Sequence, residues 1–422
     1  MIPSEMLHQK PIDLRHKCLF YIGHIPTFLD MLMSKALQEP DTNSGPKKFT
    51  DIFERGIDPH VDDPDHCHSH SEVPDADEDW PTLDSILTFR NNVRARLVRL
   101  YADLHSGKRQ ISRQLARMLV MTLEHEGFHV ETILYMLIQS ASTVPGTLPP
   151  PGFTTPLWTA LASQWKQMTP QLTSCTTTLG PVTVVLGHDD SEADDFRPEL
   201  MYDDVNGHAF GWDNESPQRA VQVGKFSVEW RPVSNWEFYE FWKGGGAKAV
   251  DMPKSWVCVE GDIMARTLYG PVSFQVARDW PVLAAYDDLV KYAAHKGGRL
   301  PTEPELRHFL DVYEVGHEGG ANVGFRNWHP TPATTGGSAN SGRGSNGGVW
   351  EWTTTAFEGH DGLVPTDHFT GYSTDFFDGK HQVVLGASYV TIPRLASRRT
   401  LRNFYQHNYP YPWVGARVVY DL

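Results

Sequence analysis

The sequence predicts an α+β chain, with a helical first third followed by a loop-rich remainder of short strands. Two observations carry that reading. Apolar residues recur at helical spacing up to about residue 140, as in Leu115, Leu119 and Leu123, then Ile133, Leu134 and Leu137. From Thr178 the texture changes to short strand-like runs, with Trp and Tyr scattered among Gly-rich loops. The 422 residues correspond to two or three domains, and a 40% hydrophobic and 11% aromatic content suffices for a large core. The net charge of −15 argues against nucleic-acid and anionic-membrane partners, because like charge repels phosphate.

Element by element, helices are expected over 12–37, 80–105 and 110–140. Between the first two lies an insertion, 38–79, rich in Asp, Pro and His. Its His60, His66, Cys67, His68 and His70 read as a solvated loop. A Pro-rich linker follows Ser142, and a short helix over 155–169 is expected to fold back on the helical part. Two further helices, 234–244 and 284–297, interrupt the second half, and its Gly-rich stretch 331–348 is expected to be an ordered loop. Cys18, Cys67, Cys175 and Cys258 are too widely spaced for a zinc knuckle or redox motif. With no signal-peptide core and no apolar run of about 18 residues, reduced thiols in a cytoplasmic setting are the expectation.

The sharpest local motif is Leu123-Glu124-His125-Glu126-Gly127-Phe128-His129-Val130-Glu131. Residues four apart on a helix differ by about 40° in direction, so His125 and His129 can face one ion. His24, in an apolar stretch beside the small Gly23, is the first candidate for a third ligand, and His16 is the alternative. Three neutral imidazoles with open positions suit Fe(II), Zn(II), Cu or Mn. The same run matches the HExxH zinc-protease signature, with Glu126 as general base. Such enzymes take their third ligand downstream, whereas no Asp, Glu or His occurs from Thr132 through Gly187.

At this point a family resemblance becomes legible. HEGFHVE, following the first-helix Gly23-His24, resembles the DinB-like four-helix-bundle metal domain. Gly211-Trp212-Asp213-Asn214-Glu215, Val233-Ser234-Asn235-x-Glu237-Phe238, Gly298-Arg299-Leu300-Pro301-Thr302-Glu303-x-Glu305 and Gly348-Val349-Trp350-Glu351-Trp352-Thr353 follow in order. They resemble the formylglycine-generating-enzyme-like (sulfatase-modifying factor) domain, which has a C-type-lectin-like fold. The implied boundaries are 1–145 for the helical iron-binding domain, 146–177 for linker and short helix, and 178–422 for the lectin-like domain.

Fusion of these two domains resembles the ergothioneine-pathway sulfoxide synthases, and the fungal branch in particular. Met6-Leu7-His8-Gln9-Lys10-Pro11, Asn327-Trp328-His329-Pro330 and the loop from Tyr372-Ser373 to Lys380 carry that likeness. The resemblance implies a non-haem Fe(II) centre on His24, His125 and His129. It also implies O2-dependent C–S bond formation between cysteine and the imidazole of hercynine, giving a sulfoxide. Bacterial relatives place a catalytic tyrosine where Phe369 stands, which moves the implied acid or imidazole partner to Tyr372. Their Asn-Trp-Asp becomes Asn403-Phe404-Tyr405, the implied substrate-binding residues; loss of the Asp favours cysteine over γ-glutamylcysteine. Their Gln before the second helix histidine is Phe128 here.

Phe404, Tyr405, Trp413 and Trp352 are further candidates for a trimethylammonium, and Arg394, Arg398, Arg399 and Arg402 for a carboxylate. The chain starts too late to hold the methyltransferase domain that often precedes this part in such fungal proteins, so histidine trimethylation is expected either on a separate histidine methyltransferase or on a segment outside this chain. An ovothiol-type histidine–cysteine synthase is the nearest catalytic alternative. A non-catalytic binding module around a structural metal is another. A formylglycine-generating oxidase is disfavoured, because no cysteine follows Cys258.

Overall fold

The computed structural model describes residues 2–422 except 3, 13, 40–43, 64, 141–151, 169–173, 203–204, 314–320 and 334–344. Most of the expected Pro-rich linker and the centre of the Gly-rich stretch lie outside the described residues. The chain forms two compact units. The first comprises residues 1–133, 189–217 and 360–375, and the second 134–188, 218–359 and 376–422. The expectation of one boundary near 145–178 therefore meets a different division: two segments of the second half belong with the helices.

In the first unit, helix α1 (Cys18–Leu37) buries Leu19, Phe20, Gly23, His24 and Phe28. Helix α2 is short (Lys48–Phe53), α3 runs over Leu83–His105, and α4 covers Arg113–Gln139, its residues from 134 onward counting with the second unit. Thr82 caps α3 by accepting a hydrogen bond from the Ser85 backbone N–H. Its buried Ile86, Phe89, Val93 and Leu100 form one stripe, and α1 packs against both α2 and α3.

The 38–79 insertion carries α2, and its 60–79 part is not a solvated loop throughout. Phe49, Ile52 and Phe53 of α2 are buried, and so is His60, tied by its N–H to the His66 carbonyl at 2.9 Å. An amphipathic helix of six residues is enough to bury three apolar side chains, yet too short to show a period in a polar stretch.

Every strand among the described residues lies in the second unit. Strands β1 (Thr176–Leu179), β2 (Val182–Leu186), β3 (Arg219–Val223) and β4 (Phe226–Glu229) precede helix α6, which follows α5 (Trp158–Met168) and spans Asn235–Lys243. Next come β5 (Trp256–Val259), β6 (Asp262–Ala265), β7 (Val272–Ser273), α7 (Phe274–Ala277), α8 (Tyr286–His295) and α9 (Glu303–Val312). Strands β8 (Trp350–Ala356), β9 (His381–Gly386), β10 (Asn403–Gln406), β11 (Val414–Gly415) and β12 (Val419–Asp421) complete the unit, with α10 (Pro393–Ala396) between β9 and β10. The largest sheet has the order β10-β9-β8-β11. Helix α9 sets Leu306, Phe309 and Leu310 against Val383 and Leu385 of β9. The expected short helix is α5, but it packs on α7 in this unit, where Trp158 and Trp165 meet Trp280 and His329. No helix among the described residues is long and apolar enough to cross a membrane.

Three of the four lectin-like motifs are framework. Ser234 and Glu237 form the capping box of α6, and Asn235 accepts from the Trp256 indole at 2.8 Å. Thr302 and Glu305 cap α9, while Arg299 pairs with Glu305 at 2.7 Å. Glu351 is fully buried and accepts from Arg417 at 2.8 Å, and the Trp352 indole donates to the Ala284 carbonyl at 2.9 Å. Only the Gly211–Glu215 motif lies in the helical unit.

Candidate functional site

Helix α4 carries His125 and His129 one turn apart on the same face, and α1 brings His24 to them. The three Nε2 atoms form a nearly equilateral triangle: 3.1 Å for His24–His125, 3.0 Å for His125–His129 and 3.0 Å for His24–His129. His24, and not His16, completes the trio; the His16 ring instead packs against Phe20, with centroids 4.1 Å apart and planes tilted by 33°. Two perpendicular metal–nitrogen bonds of about 2.1 Å put their nitrogens about 3.0 Å apart, whereas tetrahedral bonds of that length give about 3.4 Å. The triangle therefore fits one face of an octahedral ion, leaving the opposite face for other ligands.

The surroundings fix the rings. His24 Nδ1 lies 2.6 Å from the Phe53 carbonyl, so it carries the proton and leaves Nε2 as a lone pair. The Nδ1 atoms of His125 and His129 are buried with no hydrogen-bond partner among the described residues. Phe28 stacks on His125 at 3.8 Å and Phe20 on His24 at 5.1 Å. Burial pushes His24 down to about 4, despite the opposing effect of the Phe53 carbonyl. Burial, with the neighbouring histidines, also holds His125 and His129 well below the ordinary histidine range. All three are neutral at physiological pH, which is the form a metal requires.

Gly23 lets α2 approach α1. A Cβ there would meet the Phe53 ring at 2.6–2.7 Å. Gly23→Ala is expected to displace Phe53 and its carbonyl, costing about 1–3 kcal/mol of stability and about tenfold in metal affinity. Thermal melting and metal titration of the same variant separate the two effects.

The Gly211–Glu215 motif and the 366–375 loop stand beside α4. The Trp212 indole donates to the buried Glu124 carboxylate at 2.9 Å, next to His125 in sequence. Tyr372 stacks on Trp212, with ring centroids 4.1 Å apart and planes 14° from parallel. Asp213 accepts a short hydrogen bond from the Ser373 hydroxyl, which also accepts from Asn214 Nδ2 at 3.1 Å. Phe369 contacts Phe28, the ring that covers His125. Glu126, by contrast, is exposed, and with the third histidine coming from upstream this removes the geometric support for a zinc-protease reading.

Asn403, Phe404 and Tyr405 form β10 of the second unit. Phe404 stacks on Phe357 at 3.9 Å, against that unit's core. Asn403 Nδ2 donates to the Tyr405 hydroxyl at 3.4 Å. In the second unit, Trp352 and Trp413 are buried, and Arg399 and Arg402 are paired with Asp311 and Glu303.

Sequence reasoning missed a buried ionic anchor. Arg117 of α4 donates to Asp190 at 2.8 Å and to Asp195 at 3.0 Å, and His208 lies 2.7 Å from Asp190. This cluster ties segment 189–217, with Trp212, to the helix bearing His125 and His129. Burial alone would raise the Asp190 carboxyl, but hydrogen bonds and charge from Arg117, then His208 and the Gly211 N–H, hold it at about 2 against an ordinary 3.8. A depressed carboxyl stabilises the fold above its unfolded value and loses that contribution as pH falls through the folded value. Stability is therefore expected to drop between about pH 4 and 2, by on the order of 2 kcal/mol from this group. Arg117→Met strands the buried acids, costing about 3–5 kcal/mol at neutral pH. Denaturant unfolding across that pH range checks both.

Residues 199–422 match the family described as the sulfatase-modifying factor enzyme 1-like domain, and residues 2–133 match the DinB superfamily. Ergothioneine biosynthesis protein 1 of Neurospora crassa is 36% identical over 518 aligned residues, covering 100% of this chain and 56% of that protein. Its namesake from Schizosaccharomyces pombe is 38% identical over 436, covering 99% and 53%. Hercynine oxygenase of Mycobacterium tuberculosis is 29% identical over 246, covering 50% of this chain and 56% of that protein. The chain spans about half the length of these relatives. It thus belongs to the sulfatase-modifying factor enzyme 1-like family, carries a DinB-superfamily domain ahead of that module, and is similar along its length to ergothioneine biosynthesis protein 1.

Proposed function

We propose that this chain is a non-haem Fe(II), O2-dependent sulfoxide synthase that joins cysteine to the imidazole of hercynine. The observation that carries the reading is the facial triangle of three neutral Nε2 atoms in a chain similar throughout to ergothioneine biosynthesis protein 1. His24, His125 and His129 would hold the iron, which when bound supplies a Lewis acid for the thiol and an electron source for O2. The reaction balances without a further reductant. One S–H and one C–H bond break, a C–S bond forms, one oxygen atom enters the sulfoxide, and the other leaves as water with the two hydrogens.

The chain's own residues divide the remaining work. Tyr372 holds a phenol proton on the Trp212 platform and serves as the proton donor or imidazole partner. Asn403 and Tyr405 offer polar groups to the amino-acid end of a substrate. Phe404, stacked on Phe357, shapes their strand. Hercynine itself requires a histidine N-methylating activity upstream.

The test is O2 uptake by anaerobically iron-loaded protein, offered hercynine or histidine, each with cysteine or γ-glutamylcysteine. The expected result is coupled uptake that is fastest with hercynine and cysteine. Preference for histidine would transfer the chain to the ovothiol-type reaction, and no coupled uptake with any pair would end the enzymatic reading.

A further inference from the structure

We propose that Arg55, from the 38–79 insertion, is a positioning residue for Tyr372. The inference rests on the functional reading above for its catalytic consequence, but its structural part stands alone.

Arg55 lies just beyond Glu54, the C-cap of α2, and its backbone is pinned at both its N–H and its carbonyl. Its N–H donates to the Ser71 hydroxyl at 2.9 Å, and its carbonyl accepts from the Ser71 N–H at 3.1 Å. Ser71 is buried. From that fixed base the guanidinium forms a short ion pair with Asp375, donates to the Gly371 carbonyl at 3.4 Å and reaches the Thr370 carbonyl at 3.5 Å. It also lies 5.7 Å from the centre of the Phe369 ring. These partners bracket Tyr372 on both sides in sequence.

The turn they form is closed tightly. Gly371 has φ +80°, and a Cβ there would meet the Asp375 carboxylate at 2.6 Å. The Tyr372 N–H donates to the Phe369 carbonyl at 3.2 Å. Arg55 therefore holds the turn from the insertion side, while Asp213 and Asn214 hold Ser373 from the other. Two residues earlier, the Phe53 carbonyl fixes the His24 ring. One short segment, 53–55, thus sets both a metal-facing imidazole and the loop of the proton-bearing phenol. A misplaced catalytic group loses rate far more than a peripheral contact loses stability.

The full, iron-loaded chain is compared as wild type, Arg55→Ala, Arg55→Lys, Asp375→Asn, Tyr372→Phe and the Arg55→Ala/Tyr372→Phe double variant. Arg55→Ala is expected to lower kcat about tenfold, with KM and iron content within about twofold of wild type. In the Tyr372→Phe background the same change should alter kcat by less than about twofold, because the group being positioned is gone. Arg55→Lys keeps the charge without the forked contacts and should recover part of the rate. Additive losses, or a rise in KM alone, would overturn the assignment.

Hydrogen exchange supplies the readout that needs no turnover. Residues 366–375 should exchange about tenfold faster in Arg55→Ala and in Asp375→Asn, with α1 unchanged. Unchanged exchange there would overturn the clamp. Absence of turnover in wild type would instead count against the functional reading, with the exchange result still deciding the clamp.

Discussion

His129→Ala is expected to release Fe(II) and abolish C–S bond formation while the second unit stays folded. His129 supplies one corner of a triangle whose edges are 3.0–3.1 Å, and the two remaining imidazoles cannot define a face. Loss of a group that merely orients a metal ligand weakens binding about 10–100-fold, so loss of the ligand itself should exceed about 100-fold. The variant also removes one of three neutral rings crowded in a buried site, so the helical unit has no cause to unfold. The core formed by Val184, Phe226, Phe309 and Val383 lies wholly in the second unit. Iron analysis and near-ultraviolet circular dichroism of one sample check both halves. Iron retained at wild-type affinity would exclude His129 as a ligand.

Tyr372→Phe is expected to lower kcat about 10²–10³-fold, the range for removal of a positioned acid–base group, with iron content unchanged. Phenylalanine preserves the stack on Trp212 and the backbone held by Ser373, so the phenol oxygen alone is removed. The loss should therefore fall on kcat and not on KM. Steady-state kinetics with hercynine and cysteine measure the split, and a variant as fast as wild type would assign the proton to another group.

The grouping of the three histidines is largely legible because it obeys local periodicity. His125 and His129 share a helix face by spacing alone, and His24 announced itself as a polar residue beside a glycine in an apolar helix. What holds those rings was not legible. The Phe53 carbonyl is 29 residues from His24, and the Glu124 partner of Trp212 is 88 residues away. No local pattern encodes such pairings. Arg55 and α2 sit inside an insertion whose Asp-, Pro- and His-rich composition announces no helix, although α2 buries Phe49, Ile52 and Phe53.

The second half taught a related lesson. Its motifs spelled out caps and buried pairs, such as Thr302–Glu305 and Glu351–Arg417, that specify the fold more than the chemistry. The sequence locates the short helix after the linker along the chain but not its packing partner. An amphipathic face states that it has a partner without naming it, and for α5 the partner is the Trp280 region.

The central claim is that an iron centre on His24, His125 and His129 uses O2 to couple the two substrates. Mass spectrometry of the product formed by the iron-loaded chain from hercynine and cysteine under 18O2 tests it most directly. The account predicts a single S-linked product carrying one 18O atom, formed by wild type and absent with His129→Ala. A product lacking 18O, or the same product from His129→Ala, would contradict it.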